Sequence, residues 1–386
     1  MEKISVNSRR GKLVFRRLLK ALRANQYPYN IIKLPQDQIP EELRRDPLRC
    51  AQFFFYACYF MRGAQKSEIA VRQLVVLWRH APEIFHPEVV ATYENEQKLK
   101  ELLALAINYH LDEIAGFWLR GSKSLMSRWQ GDPRLIFKAA RDGDSARRLM
   151  TNKKVKGEKP VDLFDHDWGF EGSQGKITSM LAYYLLAAKL INRLDIAPAN
   201  DFHIGRVTLG TEVLVPTDEL HKHGIRYDQI YKKGEQLMEE FCKSGESSTK
   251  ELGDALWWLS ASLCRIAPGN ASVGRSKKRG RRDANGKKVL PKQLKVDPHN
   301  TNHLDRYERS CHRCPVESLC KWNAPSGAYY EGGAFMLYPR IRLQPRDTLF
   351  QDLRDHVVPR RFRAGALNHK EEAVQLAFFE EDETGE

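Results

Sequence analysis

The sequence predicts an all-α protein: apolar residues recur at helical spacing along most of its 386 residues, and strand-like alternation is nearly absent. Leu13, Phe15, Leu18, Leu19 and Leu22 share one helical face near the start, and Ile69, Leu74, Val75 and Leu77 do the same further on. Met180, Leu181, Leu185 and Leu190 predict a helix over residues 177–194. Residues 229–242 read as a further amphipathic helix, and residues 250–263 as another, with Trp257 and Trp258 on its apolar side. Two stretches break the pattern, residues 151–160 (TNKKVKGEKP) and residues 269–302. Gly, Asn and like charges make both of them loops, the second expected to be disordered when free. The terminal FFEEDETGE reads as an unstructured acidic tail, and there is no internal repeat.

A chain of 386 residues can bury one large core or two ordinary ones without help from disulfides. Its 42% hydrophobic and 29% charged residues exclude a wholly disordered chain and a membrane-embedded one. The most apolar runs, residues 50–61 and 180–191, fall short of the ~18 to 20 residues that cross a bilayer. The opening MEKISVNSRRGKLVF has neither an apolar stretch nor a small-residue cleavage site. A cytoplasmic, nucleoid-associated protein with no membrane partner is therefore expected. With 63 Lys and Arg against 49 Asp and Glu, the net charge of +14 sets up a positive field suited to a polyanion, nucleic acid first. Charge alone also gives solubility and non-specific adhesion, so it needs a motif beside it.

Seven cysteines, an odd number, predict reduced thiols or metal ligands over a disulfide framework. Three of them form Cys311-His-Arg-Cys314-Pro-Val-Glu-Ser-Leu-Cys320, close enough in sequence for three thiolates to converge on zinc or on an iron-sulfur cluster. Spacing leaves the fourth ligand open among Cys264, Cys242, Cys58 and Cys50, and a zinc site could recruit His312 instead. Cys50 and Cys58 lie among aromatics at helical spacing, where a free Cys behaves as a small apolar residue, and Cys242 reads likewise as core. Upstream, Gly172-Ser-Gln174-Gly175-Lys176 is a turn opening a helix. Its backbone amides, backed by the helix N-terminus, make an anion site that fits a DNA phosphate.

These segments resemble, in order, the motifs of helix-hairpin-helix DNA glycosylases of the endonuclease III type. CHRCPVESLC is similar to the C-terminal half of their C-x6-C-x2-C-x5-C cluster loop, including the Pro after the middle Cys. Here the first interval is 46 residues instead of six, the excess being the basic loop, which makes Cys264 the first ligand. The turn resembles their L-P-G-x-G-x-K-T-A hairpin, with Gly172 and Lys176 in register. Gln174 replaces the second Gly, a change that strains a left-handed turn by about 1 to 2 kcal/mol. Residues 200–207 resemble V-D-T-H-V-x-R-V, with Asp201, His203 and Arg206 matching; Arg62-Gly-Ala-Gln65 resembles the L-S-x-Q segment whose Gln fills the hole left by an extruded base.

The resemblance covers residues 46–323 and implies a two-domain helical fold with an iron-sulfur cluster loop. Residues 1–45 would be a helix packing with the cluster domain, 46–215 a helical barrel with the hairpin, 216–323 the cluster domain with the basic insertion 269–302, and 324–386 an unassigned extension with the acidic tail. It implies a monomer that binds double-stranded DNA, flips a damaged or modified base and cuts its N-glycosidic bond, with associated AP-lyase action. Lys176 would be the nucleophile, its competing role being a phosphate contact. Asp201 would stabilise the charge building on the sugar, while also serving as an ordinary helix N-cap. Gln65, Gly172, Gly175, His203 and Arg206 would touch DNA, joined by Arg275, Lys277, Lys278, Arg279, Arg281 and Arg282 of the insertion. Cys264, Cys311, Cys314 and Cys320 would hold a 4Fe-4S cluster, with zinc as the alternative. Trp118, Trp129, Phe164 and Trp168 are candidate base stackers. A catalytically silent DNA-binding protein and a glycosylase without lyase action are the rival functions.

Overall fold

Asp46 opens a helix buried on every side. Its carboxylate accepts from the Leu48 and Arg49 amides, Pro47 occupies the first turn where an N–H is not needed, and every residue from 50 to 60 is buried. A helix apolar on all sides must be surrounded. The computed structural model describes residues 3–30, 39–61, 67–151, 170, 175–192, 194–217, 224–270, 300–327, 334–340 and 343, and among them it wraps this helix with others.

The helices are α1 (Ser8–Arg23), α2 (Glu41–Arg45), α3 (Pro47–Phe60), α4 (Ser67–His80), α5 (Pro87–Val90), α6 (Gln97–Leu103), α7 (Leu111–Trp129), α8 (Arg134–Ala139), α9 (Gly143–Thr151), α10 (Gly175–Ala187), α11 (Phe202–Gly210), α12 (Tyr227–Lys243), α13 (Thr249–Trp258) and α14 (Thr301–Arg309). The strands are two or three residues long: β1 (Ile4–Val6), β2 (Leu214–Pro216), β3 (Ile225–Arg226), β4 (Trp322–Asn323), β5 (Ser326–Gly327), β6 (Ala334–Phe335) and β7 (Tyr338–Pro339). They pair antiparallel as β1 with β2, β3-β6-β5, and β4 with β7. The fold class is all-α, as the periodicity predicts.

Two main cores follow the chain. The first gathers buried residues from Ile39 to Ile196 around α3. Tyr56 stacks on Trp118 at 4.5 Å with the rings 10° apart, and the Trp118 indole donates to the Ile84 carbonyl. Trp118 and Trp129 are therefore core side chains, the commoner role for such aromatics; Phe164 and Trp168 lie outside the described residues. The second core joins Val14, Phe15, Leu18 and Leu19 of α1 to α11, α12, α13 and Val316. A smaller third layer buries Ile4, Leu214, Ile225 and Phe335 of the strands against Leu209 and Ile230.

The structure departs from the sequence reading at four points. The cores divide at residues 196 and 197, so α11 belongs with the second core and not with a unit ending at 215, while Ile39 and Leu43 join the first core from within residues 1–45. Helix α10 stops at Ala187, where the chain turns through Lys189 in the left-handed region (φ 58°), short of residue 194. After α13 the backbone widens into one π-helical turn, Leu259–Cys264. Leu13 and Ile69, placed on apolar faces by spacing, are exposed. No described helix is long and apolar enough to cross a membrane.

Candidate functional site

Helix α11 has chemistry at both ends. At its start Asp201 is the N-cap: Oδ1 accepts from the His203 and Ile204 amides at 2.8 and 3.2 Å, satisfying two of the donors that a helix start leaves open. The other oxygen, Oδ2, accepts from the Trp257 indole at 3.2 Å. Asn200, just before it, is buried and donates to the Tyr231 carbonyl at 3.0 Å, fixing the approach to the cap against α12.

Lys176 lies exposed in the first turn of α10, close enough to His203 for its charge to act on the imidazole. The start of α10 is seated on α12: a Cβ on Gly175 would stand 3.0 Å from the Tyr231 hydroxyl, so this glycine is needed for close approach. Around it, Arg147 bridges Glu235 at 3.2 Å and Glu239 at 2.7 Å. Burial raises the Glu235 carboxyl, with Arg147 pulling the other way. Tyr227, Tyr231, Glu235 and Glu239 follow at four-residue intervals and so share one face of α12. That stripe went unread in the sequence although its spacing is plain.

His203 packs on Trp257 at 5.1 Å between ring centres and meets the Ser260 hydroxyl through Nδ1 at 3.2 Å. Burial lowers its pKa to about 4; the Asp201 carboxylate opposes this, while Arg206, Arg265 and Lys176 add to it. Arg206, expected to reach DNA, is instead 7% exposed, donating to Ser260 Oγ at 3.2 Å and to the Ala324 carbonyl at 3.3 Å. Its guanidinium points into the protein, which corrects the expected phosphate contact. Burial lowers its pKa, and the charges of Cys264 and Asp201 offset part of that.

The far end of α11 meets the cysteines. The Lys321 amide donates to the Gly210 carbonyl at 2.8 Å, and a Cβ on Gly210 would lie 3.6 Å from Cys320 Sγ. Cys264, at the end of the π-helical turn, lines one cavity with Cys311, Cys314 and Cys320, together with Arg206 and Arg340. The fourth cysteine is therefore Cys264, while Cys50, Cys58 and Cys242 are buried elsewhere, as expected. Burial pushes the Cys264 thiol up to about 12 and raises the other three, each also feeling its neighbours. Four half-buried thiols lining one cavity would shed their protons most readily to a cation, which is the chemistry of a metal or cluster ligand set. Among the described residues no three His, Cys, Asp or Glu side chains gather around the position of a single ion.

Gln65, Gly172, Gln174 and the six basic residues of the insertion lie outside the described residues. The structure thus brings Asp201 and His203 together at one end of α11 and the four cysteines round one cavity at the other, with Arg206 and Ser260 between. Sequence reading missed Trp257 as a partner of Asp201, and it missed Ser260 and Arg340; only Trp257 carried a signal, as an indole whose N–H needs an acceptor when half-buried. The chain matches no model of a known protein family, and no curated protein matches it.

Proposed function

We propose that the chain is a base-excision DNA glycosylase of the helix-hairpin-helix kind, with base-removing chemistry at Lys176 and Asp201 and an iron-sulfur centre on the four cysteines. The observation that carries this reading is the arrangement on α11. A capping carboxylate with a free-standing lysine nearby lies at one end, and a buried four-thiol cavity lies at the other. Both occur in the order and register of the sequence motifs. The net charge of +14 supplies the attraction to double-stranded DNA.

In this reading the target nucleotide is flipped toward Asp201 at a cost of a few kcal/mol. Lys176 Nζ bonds to the sugar C1′ as the bond from C1′ to the base breaks, and the electron pair leaves with the base. The Asp201 carboxylate, held by the α11 amides and Trp257, stabilises the positive charge that builds on the sugar. The departing base takes up a proton from solvent as Nζ loses its protons. The C1′–O4′ bond then opens, O4′ taking a proton and C1′ becoming an imine on Lys176, and removal of a C2′ proton expels the 3′ phosphate and cuts the strand. His203, neutral through burial, adds no competing positive charge beside the sugar.

Cys264, Cys311, Cys314 and Cys320 would hold the cluster, which when bound supplies a structural crosslink between segments far apart in sequence. A donor set spread round a cavity suits a cluster of several atoms better than one zinc ion. The basic insertion would add affinity independent of sequence, and neutralising its six Lys and Arg should flatten the salt dependence of binding; an unchanged slope removes it from the interface.

The deciding experiment is borohydride trapping on a duplex carrying one abasic site, with Lys176→Ala alongside. An adduct lost in the variant supports the imine, and its absence from both proteins removes the lyase step. A second reading, a silent DNA-binding protein, draws on the engagement of both Asp201 oxygens by protein donors. Base release by the native chain but not by Asp201→Asn decides against it.

A further inference from the structure

Beyond the cysteine loop the chain returns to the same cavity. The Arg340 amide donates to the Lys321 carbonyl at 3.1 Å, directly after β7 has paired with β4. Its guanidinium donates to the Glu317 carbonyl at 2.9 Å and to Glu317 Oε1 at 2.7 Å. The side chain is 4% exposed and shares the cavity with all four cysteines. Leu343 follows, packing with Leu304 and Tyr307 against Cys311.

A guanidinium this deeply buried is costly unless it faces negative charge. Glu317 supplies one carboxylate, but that side chain is still 24% exposed and lies to one side of the cavity. The other groups that share the cavity with Arg340 and can carry negative charge are the thiols of Cys264, Cys311, Cys314 and Cys320. Ligated as thiolates, they complete its compensation.

We propose that Arg340 is the fixed counter-charge of the four-cysteine centre. This rests on the iron-sulfur reading above. A fixed positive charge lining the same cavity as the ligand sulfurs favours the more negative of two oxidation states and so raises the reduction potential. Arg340 is a positioning and tuning residue and not a ligand.

The test is the midpoint potential of the purified full chain at an electrode, read beside its iron content. Arg340→Gln should keep its iron and move to a more negative potential, by about tenfold in the oxidised-to-reduced ratio at fixed poise, which is about 59 mV for one electron. Arg340→Lys should restore most of the shift. Glu317→Gln, which leaves the guanidinium less compensated, should move the potential the opposite way. Full iron with an unmoved potential in both Gln variants overturns the proposal. Should Arg340→Gln shed its iron, Glu317→Gln decides: a positive shift supports the counter-charge and no shift overturns it. Native protein lacking iron overturns the iron-sulfur reading itself, and that is seen before any variant is compared.

Discussion

The two ends of α11 differ in what surrounds them. At the cysteine end four thiols, Arg206 and Arg340 are shut away together, so every charge there needs a partner inside the protein. At the Asp201 end Phe202 is 48% exposed and Lys176 is exposed, so a large ligand has access. One short helix therefore joins an enclosure, suited to holding a group away from water, to an open face suited to admitting a polymer. Damage to the first should appear mainly as lost stability, and damage to the second mainly as lost chemistry.

The largest expected effect is at the enclosed end. If the four cysteines hold the proposed cluster, Cys314→Ser should strip its iron and visible absorbance and lower stability by more than about 4 kcal/mol, read by iron analysis and denaturant melts. A stable, iron-free variant would break the comparison. Next comes pH. His203 titrates at about 4 in the fold against 6.5 when free, so the unfolded chain binds the extra proton between those values. Stability should thus be full above pH 6.5 and fall by up to ~3 kcal/mol as pH drops toward 4. His203→Asn should flatten that limb of the melting profile.

At the open end the effects on folding are smaller. Asp201→Ala should lose the cap, costing about 1 kcal/mol, and abolish base release; Asp201→Asn should keep the cap and lose only the chemistry. Equal loss of stability in both would mean the carboxylate acts through charge and not through capping. The smallest effect belongs to the surface: Arg16 pairs with Glu246 while 61% exposed, and Arg16→Ala should leave the melting temperature unchanged within experimental scatter.

Much of this was legible because it is local. The 3.6-residue period found α1, α4, α12 and α13, and the C-x2-C-x5-C spacing found three thiols that do share a cavity. Asp201 as a cap followed from residue type and position alone. What escaped depends on distant partners. Spacing alone left the fourth cysteine open, and it was the resemblance of the cluster loop that singled out Cys264, which shares the cavity. Arg206 read as a surface cation because a basic chain offers no sign of which arginine is buried. Arg340 lies in a stretch without periodicity, and nothing in its neighbours announces that it faces sulfur. The division at residue 196 was missed because α11 is as apolar as the helices of the other core.

Strand β1 pairs with β2, Ile4 opposite Pro216 and Val6 opposite Leu214, and α1 behind it lies in the second core. On the ribosome these early residues are made long before their partners, whereas the core of residues 39–196 is already contiguous. The opening strand and helix must wait for some two hundred residues of synthesis, about 10 to 40 seconds at ordinary rates of elongation, before they can dock. Their apolar face is exposed for that interval, and the second core is complete only once Val316 has also been made.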